Sequence, residues 1–273
     1  MTLVDAAVLG VVQGLTEFLP VSSSGHLVLG GYLLGVSEQH ILYDLVVHAG
    51  TLVATLTYFW PTLARMGREV VVAIRDFARG ACARELISRY PEAWLLVLIV
   101  VGVAPTALVG LLFEEQIEAL FGAPRLVCGA LLVTGGLLVG TRWVQRASPG
   151  RLTVARALAI GLAQGLAIVP GISRSGSTIA VALYLGVSRD LAARYSFLLS
   201  VPAILGALVV KLAGGSGVSG PIEVWALAVG FGAAALTGLL ALAVLVPLVR
   251  RGRLHYFAIY LLAAAILGLV FLP

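Results

Sequence analysis

Five side chains capable of acid–base, nucleophilic or anion-binding chemistry crowd one short stretch near the start of the chain: Glu17, Ser22, Ser23, Ser24 and His26. A second group, Ser173, Arg174 and Ser175, lies 151 positions after those serines. A buried glutamate can serve as a general base, a metal ligand or the orienting partner of a histidine. An activated serine is a nucleophile, and the planar fork of arginine binds phosphate oxygens in pairs. The two groups belong to one repeated segment. Residues 10–37 read GVVQGLTEFLPVSSSGHLVLGGYLLGVS and residues 161–188 read GLAQGLAIVPGISRSGSTIAVALYLGVS, with 11 of 28 aligned pairs identical. The identities include Gln13/Gln164, Gly14/Gly165, Ser22/Ser173, Ser24/Ser175 and Gly25/Gly176. Each copy sets Ser-x-Ser-Gly within apolar chain; the first adds Glu17 and His26, the second Arg174.

The elements that must position these groups are membrane helices. Mean hydropathy is +1.05 and only 11% of residues are charged, against about a quarter in soluble domains. Helix-length apolar segments rich in Leu, Ala, Val and Gly predict an all-α integral membrane protein rather than a β-barrel, a single polytopic domain over 1–273. Stretches long enough to cross the hydrocarbon run over 41–60, 93–113, 124–141, 192–213, 223–249 and 254–272, about six full spans. Segments 3–19 and 21–36 are short and separated at Pro20 and the serines; 153–169 and 172–187 are divided in the same way at Pro170-Gly171. Each pair predicts a re-entrant hairpin of two half-helices, four half-helices in all. The bland alternative is eight complete spans with kinks.

Three spans between the hairpins make the repeat inverted, with copies over approximately 1–115 and 150–270. The arginines give the same orientation. Arg65, Arg68, Arg75, Arg79, Arg84 and Arg89 occupy a predicted loop over 61–92, Arg142, Arg146, Arg151 and Arg156 a second, and Arg250, Arg251 and Arg253 a third. The positive-inside rule puts all three in the cytoplasm. The segment with Glu114, Glu115 and Glu118 and the segment GGSGVSGP then fall outside. The net charge of +5 is thereby explained by topology, without a nucleic-acid partner. No removable signal peptide is expected, since no basic region or small-residue cleavage site precedes the first break. Cys82 and Cys128 fit no metal or disulfide pattern, and neither a Walker sequence nor a Cys/His zinc pattern occurs.

A half-helix that begins within the membrane presents unpaired N–H groups and the positive end of its dipole. Two such ends facing each other suit an anion, and phosphate above all. Ser23 is the preferred nucleophile, three residues before His26 at a helix start; Ser22 and Ser24 are caps or phosphate donors. His26 would activate a serine or protonate the leaving oxygen. Gln13, four residues before Glu17, shares its helix face. Substrate contacts are expected from Gln13, Ser22, Ser24, Gly25, Ser173, Ser175, Gly176 and Thr178, with Arg174 on the developing charge. Arg174 also has a purely structural reading, as an ion-pair partner of Glu17 that ties the hairpins together. Asp44 and His48 read as a polar rim, His40 and His255 as interfacial, and Arg194 and Tyr195 as anchors of a helix end.

QGLTEFLPVSSSGHL at 13–27 and PGISRSGSTIA at 170–180 resemble the two signature motifs of the undecaprenyl-diphosphatase, or bacitracin-resistance, family. The resemblance covers essentially the whole chain. It implies an integral phosphatase of the bacterial cytoplasmic membrane that removes the terminal phosphate of undecaprenyl pyrophosphate, with a site open to the outer face and a homodimeric assembly. The family roles map onto Glu17, Ser23, His26, Ser173 and Arg174. One departure bears on metal. Where relatives carry a second carboxylate four residues before the motif glutamate, this chain has Gln13, and the repeat mate of Glu17 is Ile168. A protein-held Mg²⁺ or Ca²⁺ is therefore doubtful, with Glu17 the one possible ligand, unless the substrate's phosphates share in holding it. The other lipid-phosphatase family places a His six residues after its Arg, where this chain has Ala180. Two competing readings are a transporter or flippase for an anionic or polyprenyl phosphate substrate, built on an inverted repeat, and a structural membrane subunit.

Overall fold

The computed structural model describes residues 1–33, 41–144, 150–213 and 223–271. His40, Arg146 and GGSGVSGP lie outside these residues. The described chain forms thirteen α-helices: α1 (Leu3–Phe18), α2 (Ser23–Leu33), α3 (Ile41–Tyr58), α4 (Trp60–Ala78), α5 (Ala83–Arg89), α6 (Pro91–Leu112), α7 (Glu114–Phe121), α8 (Pro124–Gly140), α9 (Val154–Leu166), α10 (Arg174–Tyr184), α11 (Arg189–Ala213), α12 (Val224–Arg250) and α13 (Tyr256–Phe271).

Among the described residues four helices are long and apolar enough to span a membrane: α6, the run from α8 through Trp143, α11 and α12. The α3–α4 pair gives a fifth if taken as one broken span; it bends by 70° at Phe59. α9 and α13 are apolar but shorter. The protein is thus a multi-pass helical membrane protein. Its outward surface carries large apolar side chains such as Val100, Leu111, Leu236, Leu240 and Ile259, each more than half exposed, as lipid contact requires.

The region 61–92 differs from expectation. It is not a loop but α4 and α5, because Val70, Val71, Ile74 and Phe77 recur at helical spacing between the arginines. The chain returns from them into α6, whose first N–H groups, those of Glu92 and Ala93, donate to the Glu69 carboxylate at 2.7 and 3.1 Å. The acidic segment at 114 is likewise helical, as α7.

Helix starts repeat with the sequence. Thr2 caps α1 by accepting from the Asp5 N–H, and Thr153, again 151 residues later, caps α9 by accepting from the Arg156 N–H. The packing partners are exchanged. α1 lies along α12 while α9 lies along α6; α3 also lies along α12, and α11 along α6. Small residues bring the backbones together in both seams. A Cβ on Gly10 would meet the Gly230 carbonyl oxygen at 2.6 Å, and one on Gly14 the Ala234 carbonyl oxygen at 2.5 Å. Their repeat mates behave alike: a Cβ on Gly161 would lie 1.9 Å from the Gly102 carbonyl oxygen, and one on Gly165 3.0 Å from Val109.

Tyr195 is not an interfacial anchor. It is fully buried and donates to the Leu98 carbonyl at 2.8 Å, while Arg194 pairs with Glu92 at 2.8 Å. α10 is enclosed by α8, α9 and α11, so Ser175 to Ala180 are all buried. Protein, not lipid, thereby covers the irregular backbone between α9 and α10.

Candidate active site

The chain breaks twice, between α1 and α2 and between α9 and α10, and the two breaks touch. A Cβ on Gly25 would sit 3.3 Å from Gly171 Cα; a Cβ on Gly176 would sit 3.2 Å from Pro20 Cβ. Gly25 and Gly176 are repeat mates, as are Pro20 and Gly171. The helix caps match too. Ser22 Oγ accepts from the Gly25 N–H at 3.3 Å and lies 3.3 Å from Ser24 Oγ. Ser173 Oγ accepts from the Gly176 N–H at 3.1 Å and lies 3.3 Å from Ser175 Oγ.

The match fails at one atom. Ser22 Oγ also accepts from the Gly171 N–H at 3.2 Å, across the junction. The equivalent bond to Ser173 would need an N–H on Pro20, and proline has none. The Ser173 hydroxyl accepts no such cross-junction bond, and its N–H donates instead to Thr134 Oγ1 on α8 at 3.0 Å. Thr134 in turn donates to the Gly171 carbonyl at 3.1 Å. Ser22 bears a further distinction: its φ is +70°, the one positive value on a non-glycine residue among the described residues. Such a backbone costs on the order of 1–3 kcal/mol and persists where its surroundings hold it. Here the Ser22 carbonyl is held by the His26 N–H at 3.1 Å and His26 Nδ1 at 2.8 Å.

Glu17 is the hub. It is buried in the last turn of α1, and each carboxylate oxygen meets donors. Oε1 accepts from Arg174 Nη2; Oε2 accepts from Ser23 Oγ at 2.5 Å and Gln13 Nε2 at 2.9 Å. His48 Nε2 stands 3.8 Å from Oε2. The acid, serine and arginine expected to converge are thus adjacent, and Gln13 shares the helix face of Glu17. Of the three motif serines, Ser23 is the one hydrogen-bonded to the carboxylate.

Other placements differ from expectation. His26 makes no hydrogen bond to a serine hydroxyl among the described residues: Nδ1 faces the Ser22 carbonyl, and Nε2 lies 2.6 Å from the Tyr260 hydroxyl of α13, with the rings stacked. Thr178 is fully buried, and its hydroxyl is taken by the Arg174 carbonyl at 2.7 Å and by Ser196 Oγ, so it braces α10 instead of facing a ligand. Ser173 and Ser175 are buried as well; Ser175 Oγ donates to the Leu19 carbonyl at 3.3 Å. Ser23, Ser24, His26 and Arg174 are partly open, and so is His48. The residues missed by sequence reasoning are His48, Thr134 and Tyr260. For His48 a signal existed, a histidine in an apolar helix four residues after Asp44. Thr134 and Tyr260 lie outside both repeat motifs and carry none.

These side chains do not fit a protein-held divalent cation. A cation at Glu17 would have one carboxylate, already filled by donors, beside the Arg174 guanidinium. Among the described residues no three His, Cys, Asp or Glu side chains converge as a metal site needs. The set suits an anion: two helix N-termini, a partly open guanidinium and a serine hydroxyl bonded to a carboxylate.

The family described as bacitracin resistance protein BacA matches residues 6–267. Similar proteins include one from Desulfatibacillum aliphaticivorans, 44% identical over 94% of each chain. Another, from Korarchaeum cryptofilum, is 41% identical over 99% of this chain and 100% of its own. A third, from Methanosphaera stadtmanae, is 40% identical over 99% and 97%. Each carries the name undecaprenyl-diphosphatase.

Proposed function

The chain belongs to the bacitracin resistance protein BacA family, and we propose that it hydrolyses undecaprenyl pyrophosphate to undecaprenyl phosphate and inorganic phosphate. It is a membrane phosphatase, in keeping with the name its relatives carry. The observation that carries the site assignment is Glu17 held between Arg174 and Ser23 where two helix N-termini meet. A transporter needs donors for its anion; it has no use for a serine hydroxyl 2.5 Å from a buried carboxylate.

The reaction runs as an in-line displacement. Ser23 Oγ attacks the distal phosphorus as Glu17 Oε2 takes its proton. The anhydride P–O bond breaks, and its electron pair leaves with undecaprenyl phosphate. Arg174 and the free N–H groups of α2 and α10 stabilise the equatorial oxygens, on which charge accumulates. Water then attacks the phosphoserine and restores Ser23. His26 cannot be the base for Ser23, since its nitrogens are engaged elsewhere. At the open margin it takes the second role once Nε2 is protonated and turned from Tyr260 to the substrate, delivering that proton to the leaving oxygen. A divalent cation enters only with the substrate's phosphates.

The exchanged helix partners and matched caps support an inverted repeat with two re-entrant hairpins. Arg65 of the first basic segment and Arg250 of the third line one cavity with Arg194 and Asp190, which supports a common end for these two segments. By the positive-inside rule this end is cytoplasmic, and the site opens toward the outer face, with the polyprenyl tail in the lipid along the apolar flank. Phosphate release from a polyprenyl pyrophosphate in detergent tests the assignment. Glu17→Ala and Arg174→Ala lose at least about a thousandfold in turnover and His26→Ala about a hundredfold. Full activity in the first two would overturn the site.

A further inference from the structure

His26 and His48 are locked in the same way but filled differently. Each ring sets Nδ1 against the carbonyl oxygen four residues earlier: Ser22 for His26 at 2.8 Å, Asp44 for His48 at 2.7 Å. A carbonyl oxygen only accepts, so Nδ1 carries the hydrogen in both, and a neutral ring presents a bare lone pair at Nε2. In His26 that lone pair is satisfied by the Tyr260 hydroxyl. In His48 it faces Glu17 Oε2 at 3.8 Å, and no hydroxyl or N–H donates to it among the described residues. Two acceptors facing each other at that distance are complementary only when a proton lies between them.

Ser23 supplies such a proton during the proposed reaction. On that reading of the site, we infer that His48 is the terminal acceptor of a Ser23–Glu17–His48 proton relay. As Ser23 Oγ bonds phosphorus and the anhydride bond breaks toward undecaprenyl phosphate, the Ser23 proton passes to Glu17 Oε2 and on to His48 Nε2. A small rotation of either side chain closes the 3.8 Å gap to hydrogen-bond length. Moving the proton on restores the ionised Glu17 that pairs with Arg174, and the imidazolium then forms a second ion pair with it. In the second half-reaction the water oxygen bonds phosphorus and the Ser23 O–P bond breaks. Ser23 Oγ regains its proton from His48 through Glu17, and the water's protons leave with the phosphate. His48 touches no reacting atom, so it is a positioning residue that acts through Glu17.

The charged groups around His48 are few. Glu17 of α1 faces it, with Arg174 of α10 beyond and Asp44 on its own helix. α12, packed on α3, has no titratable side chain between Glu223 and Arg250. α11 brings Tyr195, committed to the Leu98 carbonyl, with Arg189, Asp190, Arg194 and Lys211 toward its ends. Where α4 meets α3 the nearest charges along the chain are Arg65 and Arg68.

The test uses the full chain in detergent with a polyprenyl pyrophosphate, comparing wild type, His48→Gln and His48→Asn across pH 5–9. The amide variants still donate toward Glu17 but accept no proton. Turnover number falls about 10- to 100-fold with KM changed less than about threefold, at the lower edge of general acid–base effects. The wild type loses turnover on the acid side, where an imidazole that already holds a proton can accept no other. That limb disappears in both variants, so their deficit shrinks toward low pH. Glu17→Ala and Ser23→Ala serve as controls. If both are inactive while both His48 variants keep wild-type turnover and its acid limb, the relay is wrong and the site reading stands. If the controls are active, the site reading itself falls. A deficit equal at every pH marks a structural role and also overturns the relay.

Discussion

The Glu17–Arg174 pair joins the two breaks, and a double-mutant cycle separates its structural share from its chemical one. Glu17 is 4% exposed and Arg174 18%. Arg174→Gln leaves a nearly dry carboxylate without its cation, whereas Glu17→Gln leaves a guanidinium that still reaches water. Breaking a buried pair costs about 3–5 kcal/mol, and partial exposure of Arg174 brings the figure for Glu17→Gln nearer to 2 kcal/mol. At roughly 2–4 °C per kcal/mol for a chain of this size, thermal unfolding in micelles falls by about 8–15 °C for Arg174→Gln and about 4–8 °C for Glu17→Gln. In the double variant two neutral amides can hydrogen-bond to each other. It recovers to within about 1–2 kcal/mol of wild type, a coupling of about 3–6 kcal/mol. Turnover behaves oppositely: each single variant drops at least about a thousandfold, and the double stays as low, since neither the base nor the anion clamp returns. A coupling below about 0.5 kcal/mol would show that the pair does not tie the breaks together. An active double variant would show that the pair is scaffold alone, and the proposed chemistry would be wrong.

Four further outcomes follow from the geometry. Ser22→Ala orphans the Gly25 and Gly171 N–H groups and lowers stability by about 2 kcal/mol. Ser22→Gly loses the same bonds but relieves the positive φ, so it unfolds about 2–4 °C above Ser22→Ala; equal midpoints would refute the strain. Gly161→Ala forces α9 from α6, since its Cβ would lie 1.9 Å from a carbonyl oxygen, and costs at least about 3 kcal/mol. Gly136→Ala and Gly232→Ala meet nothing within 4 Å and gain up to about 1 kcal/mol of helix propensity, which thermal unfolding reads directly. Calorimetric titration of the substrate-free protein with Mg²⁺ or Ca²⁺ shows no saturable site tighter than about 1 mM; such a site, abolished in Glu17→Gln, would contradict the donor arrangement.

The repeat made the pairing of the two breaks readable, because Ser-x-Ser-Gly in an apolar chain has few reasons to occur twice. Glu17, Ser23 and Arg174 meet because each sits at a fixed offset from a helix end, and helix ends are written locally. His48 carried a local signal in its spacing from Asp44, but its place beside Glu17 was not readable. Its distance from Glu17 is set by how α3 lies beside α1, which periodicity within either helix does not encode. Tyr260 and Thr134 are invisible for the same reason, since α13 and α8 approach the junction only through tertiary packing. The region 61–92 was misread because its arginines mask an apolar stripe that covers one side of α4. Proline at position 20 was seen as a helix breaker, yet its lack of an N–H is what makes the hydrogen bonds of the two caps unequal.

The exchange of packing partners also sets a schedule for synthesis. α1, which carries Glu17, ends at Phe18, and the helix it lies along begins at Val224. At about 5–20 residues per second, ten seconds or more separate the emergence of the first from that of the second. For most of that interval a membrane-inserted carboxylate waits without Arg174, and throughout it the glycine seam of α1 faces lipid or a chaperone. The last part of the chain to be made therefore closes the first, and a ribosome that stalls before α12 leaves an unfinished junction. Separately expressed halves cut within 145–149 must find each other before either can complete its own glycine seam.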